Sequence, residues 1–163
     1  MPEVSTRMVF NGRYTRTQIS LHWLVVLLII GQWYTSSAIP RTHSSLLPPS
    51  KIDLFQHAVH TYAGLLIGII MLIRFGLSYM RTVAPFPTSQ KWQDRLARIV
   101  HLGLYFSVLH QVADWAITSY FWAPARLVHA YIWKIILVVA FFHIVAAVYH
   151  LISGDGMFGR VTV

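Results

Sequence analysis

Nine histidines stand in a chain of 163 residues that contains no cysteine. Without thiols there are no disulfides, iron–sulfur clusters, thiolate zinc sites or covalent C-x-x-C-H haem attachments. Neutral imidazole remains as the metal-binding group, and its spacing indicates which metal chemistry to expect. His129 and His143 are fourteen positions apart. On a helix, fourteen steps return to within roughly 40° of the start and climb roughly 21 Å. One segment therefore presents two ligands on one face at two depths. Each needs a partner at matching depth on another segment. His22, at the start of the first apolar segment, is level with His143, and His60, at the start of the second, is level with His129. Haem iron is commonly held by axial imidazoles, and two per iron leave no open position, so such an iron moves electrons rather than binding oxygen. The expected cofactors are two b-type haems, an inner one between His22 and His143 and an outer one between His60 and His129.

Other residues have two readings each. Gly64, Ala140, Ala146 and Ala147 either admit a flat macrocycle or let helices pack closely. Arg74 either pairs with a propionate of the inner haem or snorkels to the interface. His101 and His110 are nine positions apart and face opposite ways on a helix. His110 is expected to be a hydrogen-bonded packing residue. His57, one turn before His60, either lines an external opening or is a solvated interfacial residue.

The elements that must position these groups are apolar. Hydrophobic residues make up 56% of the chain and charged ones 11%, with mean hydropathy +0.56. A soluble domain carries about 25% charged residues, so this chain cannot cover a water-facing surface. Segments of about 20 apolar residues, enough to cross a bilayer, occur four times, at about 19–39, 59–80, 99–122 and 127–152. Turn-forming stretches separate them: Pro48-Pro49-Ser50, Pro85-Phe86-Pro87 and Ala123-Pro124. The expectation is an all-α transmembrane four-helix bundle forming one membrane domain over residues 1–163.

Charge orients the bundle. Arg7, Arg13 and Arg16 precede the first span, and Arg81, Lys91, Arg95 and Arg98 fill the second connection. Arg41 and Lys51 lie in the first connection and Arg126 in the third. The positive-inside rule then makes the N-terminus, the second connection and the C-terminus cytoplasmic. The net charge of +8 is spread between apolar segments rather than along one face, which argues against nucleic acid as a partner. On the outer side Arg41, Lys51, Arg126 and Lys134 outnumber Asp53, and a positive mouth would concentrate an anion.

Taken in order, these residues resemble the bacterial cytochrome b561 family over nearly the whole chain. The resemblance runs from Thr17-Gln18-Ile19-Ser20-Leu21-His22-Trp23 through His60, Gly64 and Arg74. It continues in Leu96-Ala97, His101-Leu102 and Tyr105, and ends with His129, His143, His150, Asp155 and Arg160. That family's best-known activity is transfer of electrons from superoxide to ubiquinone in the bacterial inner membrane. The resemblance implies haem ligation by His22, His60, His129 and His143. It also makes His150 a quinone-site candidate, with an ordinary interfacial histidine as the alternative. His101 is a second candidate, because quinone reduction needs proton delivery. Two departures bear on the substrate: the long external segment before the family's fourth span is reduced here to 121–128, and the family's paired histidines near the end are here Tyr149-His150.

Three functions follow as expectations. The first is one-electron transfer from an outer-side donor such as superoxide to quinone. The second is a haem-bearing anchor that relays electrons between a partner dehydrogenase and the quinone pool. The third is a non-redox membrane metal carrier, weakened by the presence of Asp114 alone as a carboxylate within the spans.

Overall fold

The computed structural model describes residues 15–80, 91–122, 124 and 126–153. Among them it forms helices α1 (Arg16–Thr35), α2 (Ala38–Thr42), α3 (Lys51–Met80), α4 (Lys91–Tyr120) and α5 (Arg126–Ser153), with no strand. The architecture is all-α, and four of these helices are long and apolar enough to cross a membrane. Arg7, Arg13, Arg81, Pro85-Phe86-Pro87, Ala123, Asp155 and Arg160 lie outside the described residues.

The helix ends follow from local chemistry. Thr15 caps α1: its hydroxyl accepts from the Gln18 amide at 3.2 Å, and the Gln18 side chain accepts from the Thr15 amide at 3.0 Å. This reciprocal pair satisfies two amides that a helix start leaves unpartnered. Ser50 caps α3 in the same manner, its hydroxyl accepting from the Asp53 amide at 3.1 Å. The first apolar stretch, expected to run unbroken over 19–39, is interrupted. Thr35 and Ser36 donate their hydroxyls back to the carbonyls of Gly31 and Trp33, both at 2.7 Å. Side chains that bond their own backbone compete with helix continuation, and the chain turns before resuming as α2. The other three helices begin before their apolar stretches, α3 and α4 eight residues early, and α4 ends two residues short of its own.

In packing, α1 lies on α3, α4 lies on α5, and α3 joins the two pairs through α4. The interior is small: Val25, Ile67, Ile70, Met71, Val108 and Ile136 form the buried cluster. At the α3–α4 crossing a Cβ on Gly68 would stand 3.0 Å from Val112 Cγ1, so glycine sets how closely these helices approach. Leu27, Ile69, Phe106 and Phe142 point outward and are exposed. An exterior this apolar is stable against lipid and not against water.

Contacts between helix ends fix direction. Arg74 near the end of α3 reaches Gln18 at the start of α1, and Asp114 near the end of α4 faces His129 at the start of α5. The rings of His22 and His143 meet across the starting end of α1 and the finishing end of α5. The helices therefore alternate up and down, and Arg16 and Ser153 share one end of the bundle.

Candidate functional site

The bundle gathers its polar interior at two levels. Each long helix contributes one residue to each level, with thirteen or fourteen positions between them: His22 and Thr35, Arg74 and His60, His101 and Asp114, His143 and His129. Because α5 is unbroken from Arg126 to Ser153, its two histidines are separated by roughly 21 Å along the axis.

At the level of α1's start, the His22 and His143 rings are 6.2 Å apart, centre to centre, with planes at 63°. They project from different helix pairs and meet across the seam between them. Two imidazoles bound on opposite sides of one metal, at roughly 2.0–2.1 Å per nitrogen, have ring centres about 6 Å apart. The separation of the His22 and His143 rings is of that size. His101 also reaches this level, its ring 5.2 Å from that of His143 although its side chain is exposed. Arg74 stands within electrostatic reach of all three histidines. It donates from Nη1 to the Gln18 carbonyl, in the first turn of α1, at 2.7 Å. Trp23 packs edge-on to His22 at 5.4 Å.

At the opposite level His60 is held from α1. Gln32 Nε2 donates to the His60 carbonyl at 2.8 Å, and Thr35 Oγ1 lies 3.2 Å from His60 Nδ1. Gly64 borders the Gln32 amide, which a Cβ would meet at 3.7 Å; its place is in the α1–α3 contact. His129 stands within electrostatic reach of His60. Behind its ring is Asp114, with Oδ2 3.7 Å from His129 Nδ1. Asp114 is only 3% exposed. An aspartate at a bilayer centre costs roughly 2.5–3.5 kcal/mol on insertion scales, so its place calls for a local reason.

The other residues that the sequence singled out take the following places. His110 is exposed against Phe106 at 6.0 Å on its own helix, so it is not a packing residue between helices. His57 belongs to a polar patch, its Nδ1 2.7 Å from Thr42 Oγ1 and its ring 5.2 Å from that of His43. Arg41 pairs with Asp53 and Gln56, which removes most of its contribution to a positive mouth. Lys134 lies 5.2 Å from the centre of the Tyr131 ring, on the exposed face of α5. His150 packs against Tyr149 at 5.6 Å.

The sequence reading missed the groups behind the histidines: Gln18, Gln32, Thr35, Gln111 and Thr118. A signal was present. Gln18, Val25 and Gln32 recur every seven residues, and Ser107, Gln111, Asp114 and Thr118 follow at four, three and four. Polar residues at helical spacing inside apolar spans mark an inward stripe.

The structure is an all-α bundle with four helices long and apolar enough to cross a membrane, and it brings half-buried histidines from different helices together at two levels. The chain matches the family described as prokaryotic cytochrome b561 over residues 13–160, and it belongs to that family. A cytochrome b562 from Cereibacter sphaeroides is 24% identical over 141 residues, covering 84% of this chain and 86% of that protein. The protein is thus a haem-binding electron-transfer cytochrome of the bacterial inner membrane.

Proposed function

We propose that this cytochrome carries two b haems, one between His22 and His143 and one between His60 and His129, and passes single electrons across the bilayer. The observation that carries the reading is the 6.2 Å separation of the His22 and His143 rings, which come from different helix pairs to the same level. The haems supply one-electron redox chemistry. The protein's residues set ligand orientation, local charge and the exclusion of water. Thr35 orients His60, and Arg74 places a positive charge beside the inner pair.

The excess of Lys and Arg in the N-terminal and second-connection segments puts the His22 level on the cytoplasmic side. Electrons enter at the outer level from a donor such as superoxide and leave to quinone, ubiquinone in the family this chain belongs to, near the inner level. Two superoxide anions lose one electron each, giving two molecules of dioxygen, and the quinone takes both electrons with two protons. His101, beside His143, and His150, seven residues further along α5, are the candidates for quinone contact and proton delivery.

The pairing of Arg41 with Asp53 and the short α4–α5 connection favour a second reading, a relay anchor that takes electrons from a partner redox protein instead of from superoxide. A reduced-minus-oxidised spectrum of the detergent-purified protein, with haem counted, tests the core of the proposal. Two low-spin b haems are expected, with His60→Ala and His143→Ala each losing one. A colourless protein from haem-replete cells would overturn it. Superoxide-dependent quinone reduction by the purified chain alone then separates the enzyme from the anchor.

A further inference from the structure

Among the described residues, four buried polar atoms where α4 ends and α5 begins have no hydrogen-bond partner: Gln111 Oε1, Asp114 Oδ2 and Thr118 Oγ1 on α4, and His129 Nδ1 on α5. An unpartnered polar group in an apolar interior is expensive, and a cluster of them at one place asks for an explanation. The three α4 residues share one face, at i, i+3 and i+7, and that face is turned to the start of α5. Asp114 Oδ2 and His129 Nδ1 stand 3.7 Å apart, too far for a hydrogen bond. A shift of well under 1 Å would close it.

We propose that Asp114 is a positioning residue for the outer haem: its carboxylate accepts the Nδ1 proton of His129 and turns the ring so that Nε2 faces the iron. The inference rests on the His60–His129 assignment given above. Metal-bound histidines commonly hand their second ring N–H to a carboxylate or carbonyl, which fixes the tautomer and makes the ligating nitrogen more basic. A carboxylate in that place also favours the oxidised, more positively charged iron, so the outer haem is the lower in potential for it. The arrangement accounts for three observations together: why the bundle tolerates a carboxylate here, why Oδ2 has no other partner, and why the His129 ring is turned with Nδ1 towards α4. The other acceptor beside this ring is the backbone carbonyl of Gln111, which no substitution at position 114 removes.

The test uses the haem-loaded full chain in detergent, with haem count, potentiometric titration followed at the two haems, and low-temperature EPR of the low-spin signals. Asp114→Asn is expected to raise the outer midpoint at least tenfold in the reduced-to-oxidised ratio at fixed poise, about 59 mV for one electron. It should also move the outer EPR signal and leave the inner haem unchanged. Asp114→Glu, which keeps the carboxylate, should return the potential towards that of the parent. If Asp114→Asn sheds the outer haem, recovery of that haem and its potential in Asp114→Glu supports the proposal, and equal loss in both variants overturns it. An unchanged potential and EPR signal in Asp114→Asn also overturns it and assigns the ring to the Gln111 carbonyl. Loss of haem in His129→Ala keeps these outcomes separate from the ligand assignment, because a His129→Ala protein with both haems would instead refute the assignment itself.

Discussion

The hydroxyl of Thr35 stands 3.2 Å from His60 Nδ1 and gives its single proton to the Gly31 carbonyl at 2.7 Å. A threonine hydroxyl has one hydrogen and two lone pairs, so towards His60 it can only accept. Nδ1 of His60 therefore carries the proton, and Nε2 keeps its lone pair free for a metal. This one contact fixes the tautomer, the ring's orientation and the nitrogen that would ligate.

Removing that acceptor should loosen the outer ligand without emptying the helix contact. Thr35→Val preserves shape and abolishes the bond, and is expected to lower haem retention at the outer site by about tenfold, the lower end of what the loss of such a partner costs. Thr35→Ser should retain it. Haem count after stepwise washing with an apo-protein acceptor measures the difference. Equal retention in Thr35→Val and the parent would mean that the hydroxyl only caps α1.

Two histidines compete for partnership with His143. The His101 ring is the nearer at 5.2 Å, and the His22 ring is at 6.2 Å. The nearer one is too close to sit on the opposite side of an iron, where ring centres are about 6 Å apart. His22→Ala is accordingly expected to lose the inner haem, and His101→Ala to keep both haems while slowing quinone reduction. Pyridine haemochromogen counts on the two variants decide it, and loss of a haem from His101→Ala but not from His22→Ala would reverse the assignment.

The helical bundle was legible in the sequence because its signal is plain composition: four long apolar runs with few charges allow only spanning helices. That His129 and His143 share one face of α5 at two depths was legible because residues fourteen apart on an unbroken helix keep one face whatever the neighbours do. The break after Thr35 was not, since hydropathy reads straight through Ser36 and Ser37, while the turn comes from two hydroxyls bonding backward. The places of Arg74 and His110 were also hidden. Each depends on which neighbouring helix stands beside it, and that follows from close approaches such as Gly68 against Val112. Asp114 was visible as a lone carboxylate, but its partner could be found only once α4 and α5 were set side by side.

Gly68 lies at the main contact between the two helix pairs, where α3 meets α4. Adding a methyl improves helix propensity by about 0.8–1 kcal/mol but crowds Val112, and overpacking costs about 1–3 kcal/mol. Gly68→Ala should therefore be near neutral to about 2 kcal/mol destabilising, and Gly68→Leu clearly worse. Val112→Ala should restore Gly68→Ala more than it helps the parent chain. Thermal unfolding in detergent of the parent, both single variants and the double variant measures this coupling, and strictly additive effects would place the close approach elsewhere.

Arg74 is a fixed positive charge, tied to the Gln18 carbonyl and facing His22, His101 and His143. A cation beside a haem disfavours the more positive, oxidised iron and so raises its potential. Arg74→Gln keeps a donor that can reach a carbonyl but removes the charge, and is expected to lower the inner midpoint by about 59 mV or more, tenfold in the redox ratio. The shift should persist at high salt, because charges away from water are poorly screened. Arg74→Lys keeps the charge and gives up the fixed fork of guanidinium donors, so it should hold the potential near the parent value while lowering thermal stability. Potentiometry at low and high ionic strength on the three proteins checks the sign, the salt dependence and the separation of charge from tether. A midpoint that follows the tether rather than the charge would make Arg74 a helix clamp and nothing more.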